Sequence, residues 1–223
     1  MKSVLMIGQS NMAGRGFINE VPMICNERIQ MLRNGKWQMM TEPINYDRPI
    51  SGVSLAGSFA AMWCMENKEE QIGLIPCAEG GSSIDDWSIE KILFKNAIIQ
   101  AKFAMQNSNL IAILWHQGES DRAYGDKYYE NLKAVVAYVR NHLSEKTGED
   151  YSKLPFIFGT VARKNKQYGS EVEEAMKRLA KEDKNAYLID MSDAELMGDR
   201  LHFNQNSAEY LGKQMYEQIK KLR

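Results

Sequence analysis

Residues 3–14 read SVLMIGQSNMAG: a short apolar run, 3–7, breaks abruptly into glycine, glutamine, serine and asparagine. The run does not alternate with polar residues, as a strand with one wet face would. It therefore reads as a strand buried on both sides, the pattern of a parallel sheet covered by helices on both faces. The same pattern recurs at 72–75, 110–115, 155–160 and 186–191, giving five strands.

Between and after these runs, apolar residues return at helical spacing. Examples are Leu55, Phe59, Met62 and Trp63; Leu132, Val135, Val136, Val139 and Leu143; and Leu211, Met215, Ile219 and Leu222. Strand and helix alternate, so the expected fold class is α/β: a three-layer sandwich around a central five-stranded parallel sheet. Asn206 followed by Glu209 has the spacing of a capping box opening the last helix, and Pro155 stands where the fourth strand begins. The stretch 17–51 breaks the rhythm. Asn34-Gly35 between apolar neighbours predicts a small hairpin inside a long excursion, which could form part of a substrate wall.

No repeat, low-complexity tract or Pro/Gly/Ser-rich linker divides the 223 residues, so one catalytic domain over 1–223 is expected. The 28 basic and 29 acidic side chains nearly cancel, which argues against nucleic acid or an anionic membrane as partner and for a small, weakly charged substrate. No run is long enough to span a membrane or to form the core of a leader, so a cytoplasmic location is expected. Cys25, Cys64 and Cys77 are odd in number and lack CxxC spacing, and so read as reduced, mostly buried thiols rather than a disulfide or zinc framework.

In open parallel sheets, ligands gather beyond the carboxyl ends of the strands. Here those ends carry GQSNMAG (8–14), EGGSS (79–83), HQGESD (116–121) and, past the fifth strand, DRLH (199–202). A serine on a glycine turn after a strand can expose its hydroxyl and turn its own N–H toward an oxyanion, which makes Ser10 the candidate nucleophile; alone, a serine there is equally a helix cap. Met12 occupies the last position of what would otherwise be a GxSxG elbow.

Of the three histidines, His142 falls within a helical pattern and reads as solvent-facing. His116 follows a buried strand, either as a structural residue or as part of the site. His202, three residues after Asp199, has the spacing of a general base with its orienting carboxylate. Candidate oxyanion donors are the N–H groups of Gly80 or Gly81 and the side-chain amide of Gln117. Arg15 and Glu119, opposite in charge and both beside the strand ends, are expected to pair and hold two loops in register. Glu119 as a second acid toward His202 is the alternative. Trp87 and Trp115 are candidates for a sugar-binding wall, with a core role open for Trp115.

Together, GQSNMAG, EGGSSIDDW, WHQGESD and DRLHF resemble the SGNH hydrolase superfamily. They look like its sialate O-acetylesterase and acetylxylan esterase branch, carbohydrate esterase family six, over residues 3–203. The resemblance implies a flavodoxin-like sheet, Ser10 as nucleophile with Asp199 and His202 as partners, and an oxyanion hole from the Ser10 and Gly81 N–H groups with Gln117. It implies a small acetylated carbohydrate as substrate and no metal or organic cofactor, since nucleophile, base and donors all come from protein. Glutamine stands at 117 where much of the wider superfamily has asparagine.

Three rivals remain. A phosphate-cradling loop lacks support: Gly14 is followed by Arg15 instead of a Walker Lys-Ser/Thr, and Gly14-Arg15-Gly16 does not continue as GxGxxG. A silent carbohydrate-binding relative conflicts with the intact Ser, Asp and His set. A lipase or thioesterase of the same superfamily differs in acyl length, which these residues do not specify. They specify no oligomeric state either.

Overall fold

The computed structural model describes the backbone of all 223 residues and every side chain except those of Asp126 and Lys146. Seven strands form one sheet: β1 (Lys2–Gly8), β2 (Ile29–Arg33), β3 (Lys36–Met39), β4 (Ile72–Pro76), β5 (Asn109–His116), β6 (Phe156–Gly159) and β7 (Ala186–Ile189). Their order is β3-β2-β4-β1-β5-β6-β7, and every neighbouring pair is parallel except β2 with β3.

The five expected strands are all present, in the flavodoxin-like order in which the chain switches direction beside β1. The count of five is corrected to seven because the 17–51 excursion adds its hairpin to the sheet edge. β2 pairs with β4 as well as β3, burying Ile29, Met31 and Leu32. The turn lies where the sequence placed it, with Asn34 and Gly35 both left-handed (φ 51° and 69°).

The helices α1 (Ser10–Ala13), α2 (Ala56–Glu66), α3 (Ile92–Met105), α4 (Gly125–Thr147), α5 (Ser170–Glu182) and α6 (Gln205–Lys221) cover both faces. Successive β1 residues point to opposite sides. Leu5 and Ile7 join Trp115, Phe156 and Phe158 under α3, α4 and α5, whereas Val4 and Met6 join Leu74, Leu114 and Ile157 under α2 and α6. This two-sided burial explains the unbroken apolar runs.

Three local expectations are corrected. The α6 cap is Asn204, whose side chain accepts the Ser207 N–H at 3.0 Å, while Glu209 bonds along the helix to Gln205 and Lys213. Cys25 is exposed, although Cys64 and Cys77 are buried as expected. Trp87 and Trp115 are both fully buried, their rings edge to face at 5.5 Å, so Trp87 is a core residue and no sugar wall. Among the described residues, no helix is long and apolar enough to cross a membrane.

Candidate active site

Ser10 opens the single-turn helix α1 directly after the central strand. The turn depends on Gly8, whose φ of +132° and close approach to β5 exclude a side chain: an added Cβ would stand 2.2 Å from the His116 carbonyl oxygen. The tight reversal leaves Ser10 only 5% exposed at the carboxyl edge of the sheet.

His202 arrives from the far end of the chain on the segment between β7 and α6. Asp199 folds that segment on itself. Its Oδ1 accepts the Leu201 and His202 N–H groups at 2.9 and 3.0 Å, its Oδ2 lies 2.6 Å from His202 Nδ1, and Arg200 adopts a left-handed φ of 57°. His202 Nε2 stands 3.1 Å from Ser10 Oγ. Partial burial opposes ionisation of Asp199, but the two N–H groups and the imidazole outweigh it and hold the carboxyl below its ordinary range. The aspartate thus presents a charge to Nδ1, fixing the tautomer that leaves Nε2 free to accept a proton from serine.

The loop after β4 is drawn against the end of β1, with Glu79 N donating to Gly8 O at 3.0 Å. Its two glycines differ in one respect that decides between them. The Gly80 N–H donates to Asp47 at 2.8 Å, whereas neither the Gly81 N–H nor that of Ser10 has an acceptor among the described residues. Gly81 is left-handed (φ 79°).

Gln117 departs from expectation. Its side chain is fully buried, and both N–H groups of its amide are engaged, one with Ser82 O at 3.1 Å and one with Asp121, while its Oε1 accepts from Tyr128 at 2.9 Å. No donor is left for an oxyanion. Asp121 is pushed up to about 6, chiefly by burial.

The Arg15–Glu119 pair is also corrected. Arg15 instead meets Asp47, at 2.5 Å from Nη2 with both side chains buried, and Glu119 instead faces Asn11 and His116. Among the described residues Glu119 makes no hydrogen bond or ion pair with His202, so it is not placed as a second acid. His116 is fully buried, and His142 on α4 is half-buried instead of solvent-facing, its ring edge-on to Phe94 at 5.4 Å and its Nδ1 3.0 Å from the Tyr138 carbonyl.

Sequence reasoning missed three residues that the structure brings to the site: Asn11, Asp47 and Asp121. Asn11 and Asp121 lie inside the strand-end blocks and could have been found as polar residues too close to a buried turn to remain solvated. Asp47 lies in the excursion, where nothing local marks it.

Both ends of the excursion do form a wall. Phe17, Ile18 and Ile50 line a cleft of about 660 Å³ together with Met197, Asp199 and His202. Phe17 and Ile50 are more than half exposed there.

A doubly covered parallel sheet carrying serine, histidine and aspartate in series at its switch point defines an ester hydrolase of the SGNH type. The chain belongs to the carbohydrate esterase family described as sialic acid-specific acetylesterase, whose model matches residues 1–221. It is accordingly a carboxylic ester hydrolase.

A probable carbohydrate esterase of Arabidopsis thaliana is 26% identical over 232 residues, covering 93% of this chain and 86% of the relative. The X-ray structure of an Arabidopsis thaliana protein superposes with a TM-score of 0.86 at 25% identity, covering 99% of this chain and 98% of that one. The crystal structure of NanS gives a TM-score of 0.81 at 14% identity, with 99% and 97% covered. XAC1771, a carbohydrate acetylesterase from Xanthomonas citri, gives 0.67 at 16%, with 96% of this chain but 55% of that protein covered. At those identities, the last two likenesses concern the fold.

Proposed function

We propose that this chain removes O-acetyl groups from a small carbohydrate, an acetylated sialic acid or xylo-oligosaccharide, through an acyl-enzyme on Ser10. The observation that carries the reading is the unbroken series Ser10 Oγ, His202 Nε2, His202 Nδ1, Asp199 Oδ2, at 3.1 and 2.6 Å, whose His202 and Asp199 line an open cleft.

His202 takes the hydroxyl proton as Ser10 Oγ bonds to the ester carbonyl carbon. The carbonyl π electrons move to oxygen, and the resulting oxyanion is met by the Ser10 and Gly81 N–H groups. Asp199 stabilises the imidazolium. As the tetrahedral centre collapses, the sugar oxygen leaves with the proton from His202. Water, deprotonated by His202, then attacks the acyl-serine; acetate departs and Ser10 regains its proton. The exposed Phe17 ring and the aliphatic Ile50 supply apolar faces of the kind a pyranose packs against, which supports a sugar as the alcohol part.

The test is hydrolysis of 4-nitrophenyl acetate by wild type, Ser10→Ala and His202→Ala, followed by acetate release from acetylated xylo-oligosaccharides and O-acetylated sialic acid. Each folded variant is expected to lose at least about a thousand-fold in kcat. Wild-type turnover by Ser10→Ala would remove it as nucleophile. A wild type active on neither sugar but active on long-chain esters would favour the lipase alternative.

A further inference from the structure

Glu119 is a carboxylate that the reaction above does not use, and it is nearly inaccessible, at 1% exposure. Its Oε1 accepts from Asn11 Nδ2 at 2.6 Å and lies 3.3 Å from His116 Nε2 without hydrogen-bond alignment. Its Oε2 has no hydrogen-bond partner among the described residues. Burying a carboxylate costs several kcal/mol, and a neutral residue of the same shape would avoid that cost.

What the carboxylate touches is informative. Besides Glu119, the Asn11 amide meets the backbone on either side of His202: Nδ2 also donates to Leu201 O at 3.3 Å, and Oδ1 accepts the Phe203 N–H at 2.9 Å. His116 packs its ring on Phe203 with centroids 4.9 Å apart. An asparagine amide can sit either way round, and only one way suits these partners. Turned over, Oδ1 would face the Leu201 carbonyl, and Nδ2 would face the Phe203 N–H. A carboxylate only accepts, so Glu119 admits the NH2 group and rejects the oxygen.

We propose that Glu119 is a positioning residue: it fixes the orientation of the Asn11 amide, and through that amide the 201–203 segment that holds His202 against Ser10. The proposal rests on His202 being the general base. It places a second, buried layer of control behind the reacting residues, with no contact to substrate.

The experiment compares wild type, Glu119→Gln, Glu119→Asp, Asn11→Ala and His202→Ala. It records thermal midpoints, kcat and KM on 4-nitrophenyl acetate, and the downfield proton resonance of the His202 Nδ1–H bonded to Asp199. Glu119→Gln and Asn11→Ala are expected to lose roughly ten- to a hundred-fold in kcat, the effect of an ångström-scale misplacement, with KM changed less than about two-fold and the downfield resonance weakened or shifted. Glu119→Asp, which keeps an acceptor-only group, should recover part of the loss.

A folded Glu119→Gln with wild-type kcat and an unchanged resonance would overturn the proposal. If Glu119→Gln fails to fold, Asn11→Ala decides: wild-type kcat and resonance there overturn it equally. Full activity in His202→Ala would instead sink the general-base assignment itself, a separate failure.

Discussion

Replacing Asp47 with alanine tests how the oxyanion side of the site is held. The Asp47 side chain is 2% exposed and collects four contacts: Arg15 Nη2 at 2.5 Å and Nη1 at 3.2 Å, the Gly80 N–H at 2.8 Å and Ser51 Oγ at 2.8 Å. Truncation strands a guanidinium that is itself 4% exposed and retains, among the described residues, only the Gly14 carbonyl at 2.7 Å. Breaking a buried pair from one side costs about 3–5 kcal/mol. At this chain length each kcal/mol moves the midpoint by about 2–4 °C, so Asp47→Ala should melt roughly 6–20 °C below wild type at pH 7 by calorimetry.

The pH dependence supplies a second check. Burial opposes ionisation of Asp47, but the Arg15 guanidinium and the Ser51 and Gly80 donors outweigh it and lower the pKa. A depressed carboxyl contributes stability that is present above its unfolded value, near 3.8, and is lost as pH falls through the folded value. The gap between wild type and variant should therefore narrow only under acid conditions. Because Asp47 anchors Gly80, the neighbouring Gly81 N–H should lose its aim. The expected loss in kcat on 4-nitrophenyl acetate is up to about a hundred-fold, the lower end of what deleting one oxyanion donor costs. A midpoint within about 2 °C of wild type would refute the view that this pair is a structural tie, and an unchanged kcat in a destabilised protein would separate the tie from the oxyanion loop.

Two further outcomes follow from single positions. Gly8→Ala would force a side chain into backbone atoms of His116 at 2.2–2.9 Å and an unfavourable φ, so urea denaturation should show a loss above about 4 kcal/mol or no folded protein; a wild-type midpoint would contradict the turn. Glu42 is raised from 4.5 to about 7, chiefly by burial, against the opposing Ser54 and Ile44 N–H groups. A raised carboxyl disfavours the folded state as pH climbs from 4.5 through 7, by at most about 3 kcal/mol, so Glu42→Gln should gain midpoint over wild type between pH 5 and 8; a pH-independent difference would exclude it.

The strands were legible because their physical cause is local: a strand is apolar where both faces are covered, as β1 is from Val4 to Ile7 and β5 from Leu110 to Trp115. β3 was not, since its Lys36, Gln38 and Met39 are exposed and only the turn Asn34-Gly35 marked it. The sequence pointed to a small hairpin inside the excursion and did not count it in the five-stranded sheet. It joined the sheet because β2 has a buried side to satisfy, and β4 offered a free edge. The α6 cap missed by two residues because Asn204 and Asn206 are both suitable caps, and the choice was made by the Ser207 N–H.

At the site, the series of Ser10, His202 and Asp199 was legible because Ser10 directly follows a strand end and Asp199 and His202 are three residues apart. Charge pairing was not legible. Arg15 and Glu119 have opposite signs and neighbouring loops, yet Glu119 already finds Asn11 and His116 beside its own strand, and Arg15 finds Asp47 across the excursion, 32 positions away. Gln117 shows the limit most clearly. An amide has two N–H groups, and here Ser82 O and Asp121 take both, while Asp121 also accepts the Ile84 N–H at 3.0 Å. Ser82 and Ile84 both lie within three residues of Gly81. The amide that the sequence offered as an oxyanion donor is therefore a tether on the loop that carries the Gly81 N–H.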